Sequence, residues 1–125
     1  MSDKPVIQPG PNHPITITPT TGRVVVTAGG KVVADSRNAL TLQESTYPPV
    51  QYVPLADVDQ DLLERSATES YCPFKGDAGY YSIPAGGDQA VDAVWEYANP
   101  HPAVAAITGH VAFWPGRVDA IEVEG

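Results

Sequence analysis

Apolar and polar residues alternate with a period of two along much of this chain, which is typical of β-strands with one buried face. Two β-branched runs, 23–27 and 31–36, flank Gly29-Gly30 and indicate a β-hairpin. The pattern therefore predicts many short strands joined by turns. The remaining strand-like runs are residues 15–18, 38–44, 50–54, 78–83, 91–97, 109–114 and 117–123.

One segment, residues 55–66, departs from this period. Its acidic residues come early and Arg65 comes late, the order that the helix dipole favours. Val58 and Leu62 fall on one face at helical spacing, and Asp57 is a suitable N-cap. The segment therefore predicts one short α-helix of about two to three turns.

Composition supports a single small β domain. The 125 residues match the usual size of one domain, and 13 prolines with 11 glycines favour short segments over long helices. We expect a mostly β fold over residues 15–125, either a small barrel or two packed antiparallel sheets, with the one short α-helix. Residues 1–14 contain four prolines and should form an extended arm, either lying on the body or disordered.

Charge and cysteine content argue against several function classes. The formal net charge is −8, from 15 acidic and 7 basic side chains, so nucleic acid and anionic membrane surfaces are poor partners. Cys72 is the one cysteine, which rules out an internal disulfide framework and suits a reducing compartment. No secretory signal pattern and no run long enough for a membrane helix occur in the sequence. We expect a cytoplasmic protein.

The stretch 70–83 combines a thiol, a cation and aromatic residues more closely than any other part of the chain. Lys75 lies three residues after Cys72, and a neighbouring cation favours the reactive thiolate, so Cys72 is a candidate nucleophile. The alternative is a buried, inert thiol beside a lysine that points to water. Lys75-Gly76 could instead bind an anionic ligand, although a lysine in a turn is the commoner explanation.

Asp57 and Asp59 form an Asp-x-Asp pair of the kind that can hold a metal on a triphosphate. At a helix start, however, capping and the helix dipole already explain these carboxylates, and we favour that interpretation. His13, His101 and His110 are scattered and lack metal-ligand spacing. We therefore predict neither a metal site nor a cofactor.

Several ordered sequence pieces resemble the bacterial family called domain of unknown function 427. The pieces are residues 37–44, 48–54, 57–58, 72–76 with Tyr80 and Ser82, 95–97 and 111–114, so the resemblance runs from about residue 23 to 119. It implies a β-tent fold, in which two antiparallel sheets are pinned along one edge and enclose a cleft. The family's function is not established, although it carries a nucleotidyltransferase-type label. Proteins similar in fold bind zinc through paired Cys-x-x-Cys motifs, a pattern from which this single-cysteine chain departs.

Aromatic residues concentrate in the strands and turns around the implied cleft, and small-molecule pockets are typically lined by aromatic side chains with a few polar groups. The alternative is that these aromatics form the core. Glu44 ends a predicted strand and Arg65 shares the apolar helix face, so both could reach the cleft or pair with each other. The candidate ligand-binding residues are Glu44, Tyr52, Arg65, Cys72, Lys75, Tyr80, Trp95, Tyr97 and Trp114.

Three functions are compatible with the sequence. The leading hypothesis is a domain that binds a small molecule in the implied cleft, with Lys75, Tyr80 and Trp95 near the ligand. The second is an enzyme of transferase or hydrolase type that uses Cys72 or a metal at Asp57 and Asp59. The third is a protein-interaction or homo-oligomerisation module that uses exposed sheet edges and the proline-rich arm.

Overall fold

A computed structural model describes residues 4–125. The first three residues of the predicted arm therefore lie outside the described residues. Ten strands dominate the fold: β1 (Ile15–Pro19), β2 (Arg23–Ala28), β3 (Lys31–Ser36), β4 (Leu40–Glu44), β5 (Val50–Pro54), β6 (Glu64–Cys72), β7 (Gly76–Ser82), β8 (Val94–Glu96), β9 (His110–Phe113) and β10 (Ala120–Glu124). Short 3₁₀ turns span Leu55–Asp57, Gln60–Leu62, Pro84–Ala90, Pro102–Ile107 and Pro115–Arg117.

The strands form two antiparallel sheets. The larger sheet has seven strands in the order β1-β4-β5-β9-β8-β7-β6, and the smaller has three in the order β10-β2-β3. The predicted hairpin around Gly29-Gly30 joins β2 to β3 and is confirmed. Neither sheet closes on itself within residues 4–125, so the two-sheet form of the mostly β prediction is correct and a closed barrel is not.

The main core lies between the two sheets. Val24 and Val26 of β2 point inward at a period of two and pack with Val53, Val94 and Phe113 of the larger sheet. The sheets are held together beside β3, where an isolated bridge joins residues 34 and 58. Along β10, on the other side of the small sheet, they leave an apolar cleft.

A second core covers the opposite face of the larger sheet. Leu42, Tyr52 and Ala112 project from three neighbouring strands and are almost completely buried. The 3₁₀ turn Pro102–Ile107 closes over them with two of its own apolar side chains. Aromatic residues at the rim of this second core line the candidate site described below.

The predicted α-helix at 55–66 is wrong. Two 3₁₀ turns and the start of β6 occupy this segment, and Asp59 rather than Asp57 caps the second turn. The β6 main chain pairs with β7 at both ends, with an irregularity between Arg65 and Glu69, and these sheet hydrogen bonds outweigh the local helical pattern. No helix between residues 4 and 125 is long and apolar enough to span a membrane.

The predicted strand at 91–97 is shorter than its alternation indicates. Only Val94–Glu96 forms β8, because Asp92 has a left-handed backbone with φ of 55° that cannot continue a strand. Glu96, which alternates with apolar neighbours in the sequence, is buried and accepts a hydrogen bond from the Tyr81 hydroxyl at 3.0 Å. Both faces of β8 therefore contribute to the interior.

The described part of the N-terminal arm lies against the β6–β7 hairpin. The amide of Ile7 donates to the Pro73 carbonyl oxygen at 3.0 Å, and the Tyr71 hydroxyl donates to the Pro5 carbonyl oxygen at 2.5 Å. Main-chain and side-chain bonds thus bring the arm to the turn that follows Cys72.

Candidate functional site

The turn between β6 and β7 sets Lys75 beside Cys72. The amide of Lys75 donates to the Cys72 carbonyl oxygen at 3.2 Å, which closes a tight turn. Gly76 then has φ of 116°, a left-handed conformation that L side chains rarely adopt, so glycine starts β7. As a result, Lys75 Nζ lies 3.7 Å from Cys72 Sγ.

A buried ion pair anchors the site. Lys75 Nζ donates to Glu44 Oε1 at 2.5 Å, and the two side chains are only 11% and 14% exposed. His13 of the arm donates through Nε2 to the other oxygen, Glu44 Oε2, at 2.8 Å, and its ring stacks on Phe74 at 4.1 Å. Burial opposes ionisation of Glu44, but the hydrogen bonds from Lys75 and His13 outweigh it and hold the Glu44 pKa below its ordinary value.

Two buried tyrosines complete the surroundings of the ion pair. Lys75 Nζ lies 5.9 Å from the centre of the Tyr97 ring, within cation–π range. Burial raises the pKa of Tyr97, and it raises the pKa of Tyr52 to about 12. Both hydroxyls are therefore protonated near neutral pH, and Tyr52 accepts a hydrogen bond from Trp95 Nε1 at 3.2 Å.

These groups line one cavity of about 230 Å³, which we call the aromatic cavity. Trp95 and Trp114 form one wall, with ring centres 4.8 Å apart, and Trp114 is 45% exposed at the mouth. The Tyr80 hydroxyl is anchored to Ser70 Oγ at 2.8 Å. Seven candidate residues from the sequence line this cavity: Glu44, Tyr52, Lys75, Tyr80, Trp95, Tyr97 and Trp114.

Two candidates do not line the cavity. Cys72 is partly buried in the adjoining core cluster, behind Lys75. Arg65 is on β6 instead of the predicted helix, so its direction was predicted wrongly, and its NH1 lies 3.5 Å from Glu96 Oε1. The suggested pair between Arg65 and Glu44 is therefore wrong, because Lys75 takes that carboxylate.

Asp57 and Asp59 have separate structural partners. Asp57 Oδ2 accepts a hydrogen bond from Ser36 Oγ at 2.6 Å, and Asp59 Oδ1 accepts one from the Asp61 amide at 3.2 Å. Across residues 4–125, no three His, Cys, Asp or Glu side chains lie together in a group that could hold a metal ion.

Sequence reasoning missed His13 as a partner of the site. It lies in the arm, 31 positions before Glu44, and its local sequence has no motif that would connect the two. Tyr47, Pro48 and Val50 also line the cavity, although none of them was among the candidate ligand-binding residues. A long-range contact of this kind becomes visible only once β1 pairs with β4.

A larger apolar cleft of about 630 Å³ adjoins the aromatic cavity. It lies between the two sheets, with Val26, Ile121 and Val123 on one side and Val53 and Phe113 on the other. Five residues line both spaces: Tyr47, Pro48, Val50, Trp95 and Trp114. We call this space the inter-sheet cleft.

Comparison with known proteins places this architecture in a family. The family model described as "Domain of unknown function (DUF427)" matches residues 16–124, which include every strand except the first residue of β1. The chain belongs to the DUF427 family. No curated protein matches this DUF427 chain. All the described residues that line the aromatic cavity lie inside the matched region, whereas His13, the partner of Glu44, lies outside it.

Proposed function

We propose that this DUF427 protein binds a small planar molecule that carries an acceptor oxygen, and that it does so in the aromatic cavity. The supporting observation is the buried ammonium of Lys75 within a space lined mainly by aromatic rings. Small-molecule sites commonly combine aromatic walls with a few polar groups that orient the ligand. A volume near 230 Å³ is below the usual range for drug-sized ligands and suits a fragment-sized ring.

Lys75 supplies the polar contact in this proposal. An ammonium group has three N–H donors, and its described partners are Glu44 Oε1 and the weak acceptor Cys72 Sγ. One N–H is therefore left for an acceptor on a molecule in the cavity. A carbonyl or phenol oxygen fits this donor, while the ring of the ligand would contact Trp95, Trp114 or Tyr80.

The charge of the site favours an uncharged ligand over a polyphosphate. Glu44 offsets the charge of Lys75, which is the sole cation among the described residues that line the cavity. Triphosphate sites instead combine cationic side chains with backbone N–H groups or a metal ion. For this reason we do not adopt the nucleotidyltransferase-type label of the family.

Fragment screening by two-dimensional NMR tests the proposal. Benzamide and related planar amides should shift the indole N–H signals of Trp95 and Trp114. Lys75→Met should weaken binding by roughly tenfold or more, because a hydrogen bond to a charged group is lost. Arg65→Met, on the opposite face of the hairpin, serves as the matched control and should leave affinity unchanged. Equal losses in both variants, or shifts confined to other surfaces, would contradict the proposal.

An enzyme that uses Cys72 is the second candidate, favoured by the 3.7 Å distance between Lys75 Nζ and Cys72 Sγ. Nucleophilic cysteines are commonly found beside a cationic side chain. Because Cys72 is the one thiol, its alkylation by iodoacetamide can be followed without interference. Faster alkylation than that of free cysteine at neutral pH, slowed by Lys75→Met, would support catalysis. An inert thiol would remove this candidate.

We also infer that the protein acts in the cytoplasm. The support is the unpaired thiol of Cys72, which a reducing compartment preserves. Fractionation of the native host should recover the protein with cytoplasmic markers, and recovery from an oxidising compartment would contradict this inference.

A further inference from the structure

The inter-sheet cleft has an apolar lining that the protein leaves partly uncovered. Ile121 and Val123 of β10 alternate with Glu122 and Glu124, so the edge strand turns one apolar face toward the cleft. Val123 is 50% exposed, and Trp114 lies across from it at a comparable exposure. Edge strands are usually protected by polar or charged side chains, so an exposed apolar face on β10 is unusual. A space of this size is also unusual, because packed cores leave few large voids.

The cleft adjoins the aromatic cavity and shares part of its lining. Trp95 and Trp114 are part of the lining of both spaces, as are Tyr47, Pro48 and Val50. The two spaces differ in chemistry, because the cavity holds Lys75 and Glu44 whereas the cleft has one uncharged polar side chain, Gln51, in its lining. A ligand that reaches past the tryptophans from the cavity thus meets a mainly apolar cleft with no charged side chain in its lining.

We propose that the ligand is amphipathic, with its planar polar ring in the aromatic cavity and an apolar chain in the inter-sheet cleft. This inference rests on the proposed function. Burial of a flexible apolar chain removes the exposed surfaces of Val123 and Trp114 from water, and the gain in affinity scales with the area covered. Trp114, at the junction, would determine which substituents can pass from one space to the other.

A homologous series of 4-alkylbenzamides, from benzamide to 4-butylbenzamide, tests the inference by isothermal titration calorimetry on the full chain. Affinity should rise by roughly threefold to fourfold for each added methylene group, the increment expected for transfer from water to an apolar site. Lys75→Met should weaken every member by a similar factor, because its contact is with the amide and not with the chain.

Val123→Trp is the decisive variant. The larger side chain should narrow the cleft and so reduce the gain in affinity per methylene. The affinity for benzamide itself should stay within about twofold of the wild-type value, which is less than the effect of one methylene. Val32→Trp is the matched control, since Val32 is similarly exposed on β3 and does not line the cleft. Val32→Trp should keep the wild-type dependence of affinity on the length of the alkyl chain. If Val123→Trp does not fold, Val123→Asp, which places a charge in the cleft, should reduce the gain per methylene.

The outcomes separate the two proposals. Benzamide binding with no gain along the series would overturn the amphipathic ligand and leave the proposed function standing. Binding by no member would overturn both. Two results would overturn the assignment of the cleft to the apolar chain of the ligand. The first is a gain in affinity per methylene that persists undiminished in Val123→Trp. The second is a dimer of the wild-type protein that Val123→Trp abolishes.

Discussion

At the scale of single residues, Lys75 is the one cation that is buried in the described part of the chain. Its charge is offset by Glu44, and its nitrogen lies within cation–π range of the Tyr97 ring and near Cys72 Sγ. A buried ion pair costs desolvation of both charges, so its geometry must be good for the fold to tolerate it. The pair is therefore a structural constraint as well as the polar group proposed to orient a ligand.

Removal of either charge should leave the other buried and unpaired. We predict that Lys75→Met and Glu44→Gln each lower the free energy of unfolding by about 3 kcal/mol. In the double variant, the loss in the free energy of unfolding should be smaller than the sum of the two single losses by at least about 1 kcal/mol, because the two groups interact directly. Urea unfolding of the four proteins measures this coupling. Additive losses would show that the 2.5 Å contact contributes little.

Acid should expose the role of Glu44. The pKa of Glu44 is lowered in the folded protein, so its carboxylate binds a proton more readily in the unfolded chain than in the folded one. Glu44 therefore stabilises the fold at pH values above its ordinary pKa of about 4.5. This contribution is lost as the pH falls through the lowered value. Unfolding measured between about pH 5 and pH 3 should therefore show a smaller acid-induced loss for Glu44→Gln than for wild type. Glu122→Gln, on the solvent face of β10, should lose stability with falling pH as wild type does. If stability falls in parallel for wild type, Glu44→Gln and Glu122→Gln, the stabilising role assigned to Glu44 is contradicted.

Residues close in sequence were easier to predict than residues brought together by the sheet. Cys72 and Lys75 are three apart in a turn, so their proximity followed from local spacing. Glu44 was predicted near the cleft, but its partner could not be, because β4 meets the 72–76 turn only through the tertiary fold. Arg65 was misplaced since its direction depended on a helix that does not form.

At the scale of elements, the turn from Cys72 to Gly76 determines the geometry of the site. Gly76 has φ of 116°, and a Cβ there would lie 3.4 Å from the Asn99 carbonyl oxygen. Any side chain would strain this turn and shift Lys75 relative to Glu44.

We predict that Gly76→Ala lowers the free energy of unfolding by about 1–3 kcal/mol, the usual cost of a residue forced into a disfavoured conformation. Gly116→Ala is the matched control, because no atom lies within 4 Å of a Cβ at that position. Its effect should stay within about 0.5 kcal/mol. Urea unfolding of both variants is sufficient, and equal effects would contradict the role assigned to the backbone of Gly76.

The clearest contrast between a predicted and a missed element is that between the β2–β3 hairpin and β6. In β2 every second side chain, Val24, Val26 and Ala28, is buried, and a glycine turn leads to β3, so the pattern of this hairpin was clear. In contrast, β6 is exposed along most of its nine residues and is held by main-chain pairing with β7. Pairing through main-chain hydrogen bonds does not require a pattern of hydrophobic residues, so the sequence of β6 does not reveal it. The acidic segment before β6 also resembles the first turn of an α-helix.

At the scale of the whole molecule, the net charge and the exposed edges of the sheets influence whether copies of the chain associate. The edge strand β6 carries Glu64, Arg65 and Glu69, and the chain has a formal net charge of −8. Charged edges and like-charge repulsion both oppose strand addition between copies. We predict a monomer in sedimentation equilibrium at high protein concentration. A concentration-dependent dimer would instead support the interaction module.

Binding of a small planar molecule in the aromatic cavity can be seen directly in a high-resolution crystal structure of the protein soaked with 4-methylbenzamide. We expect the ring of the ligand against Trp95 or Trp114, with its carbonyl oxygen about 3 Å from Lys75 Nζ. A cavity closed by packed side chains, or a fragment bound only at other surfaces, would contradict the proposed binding.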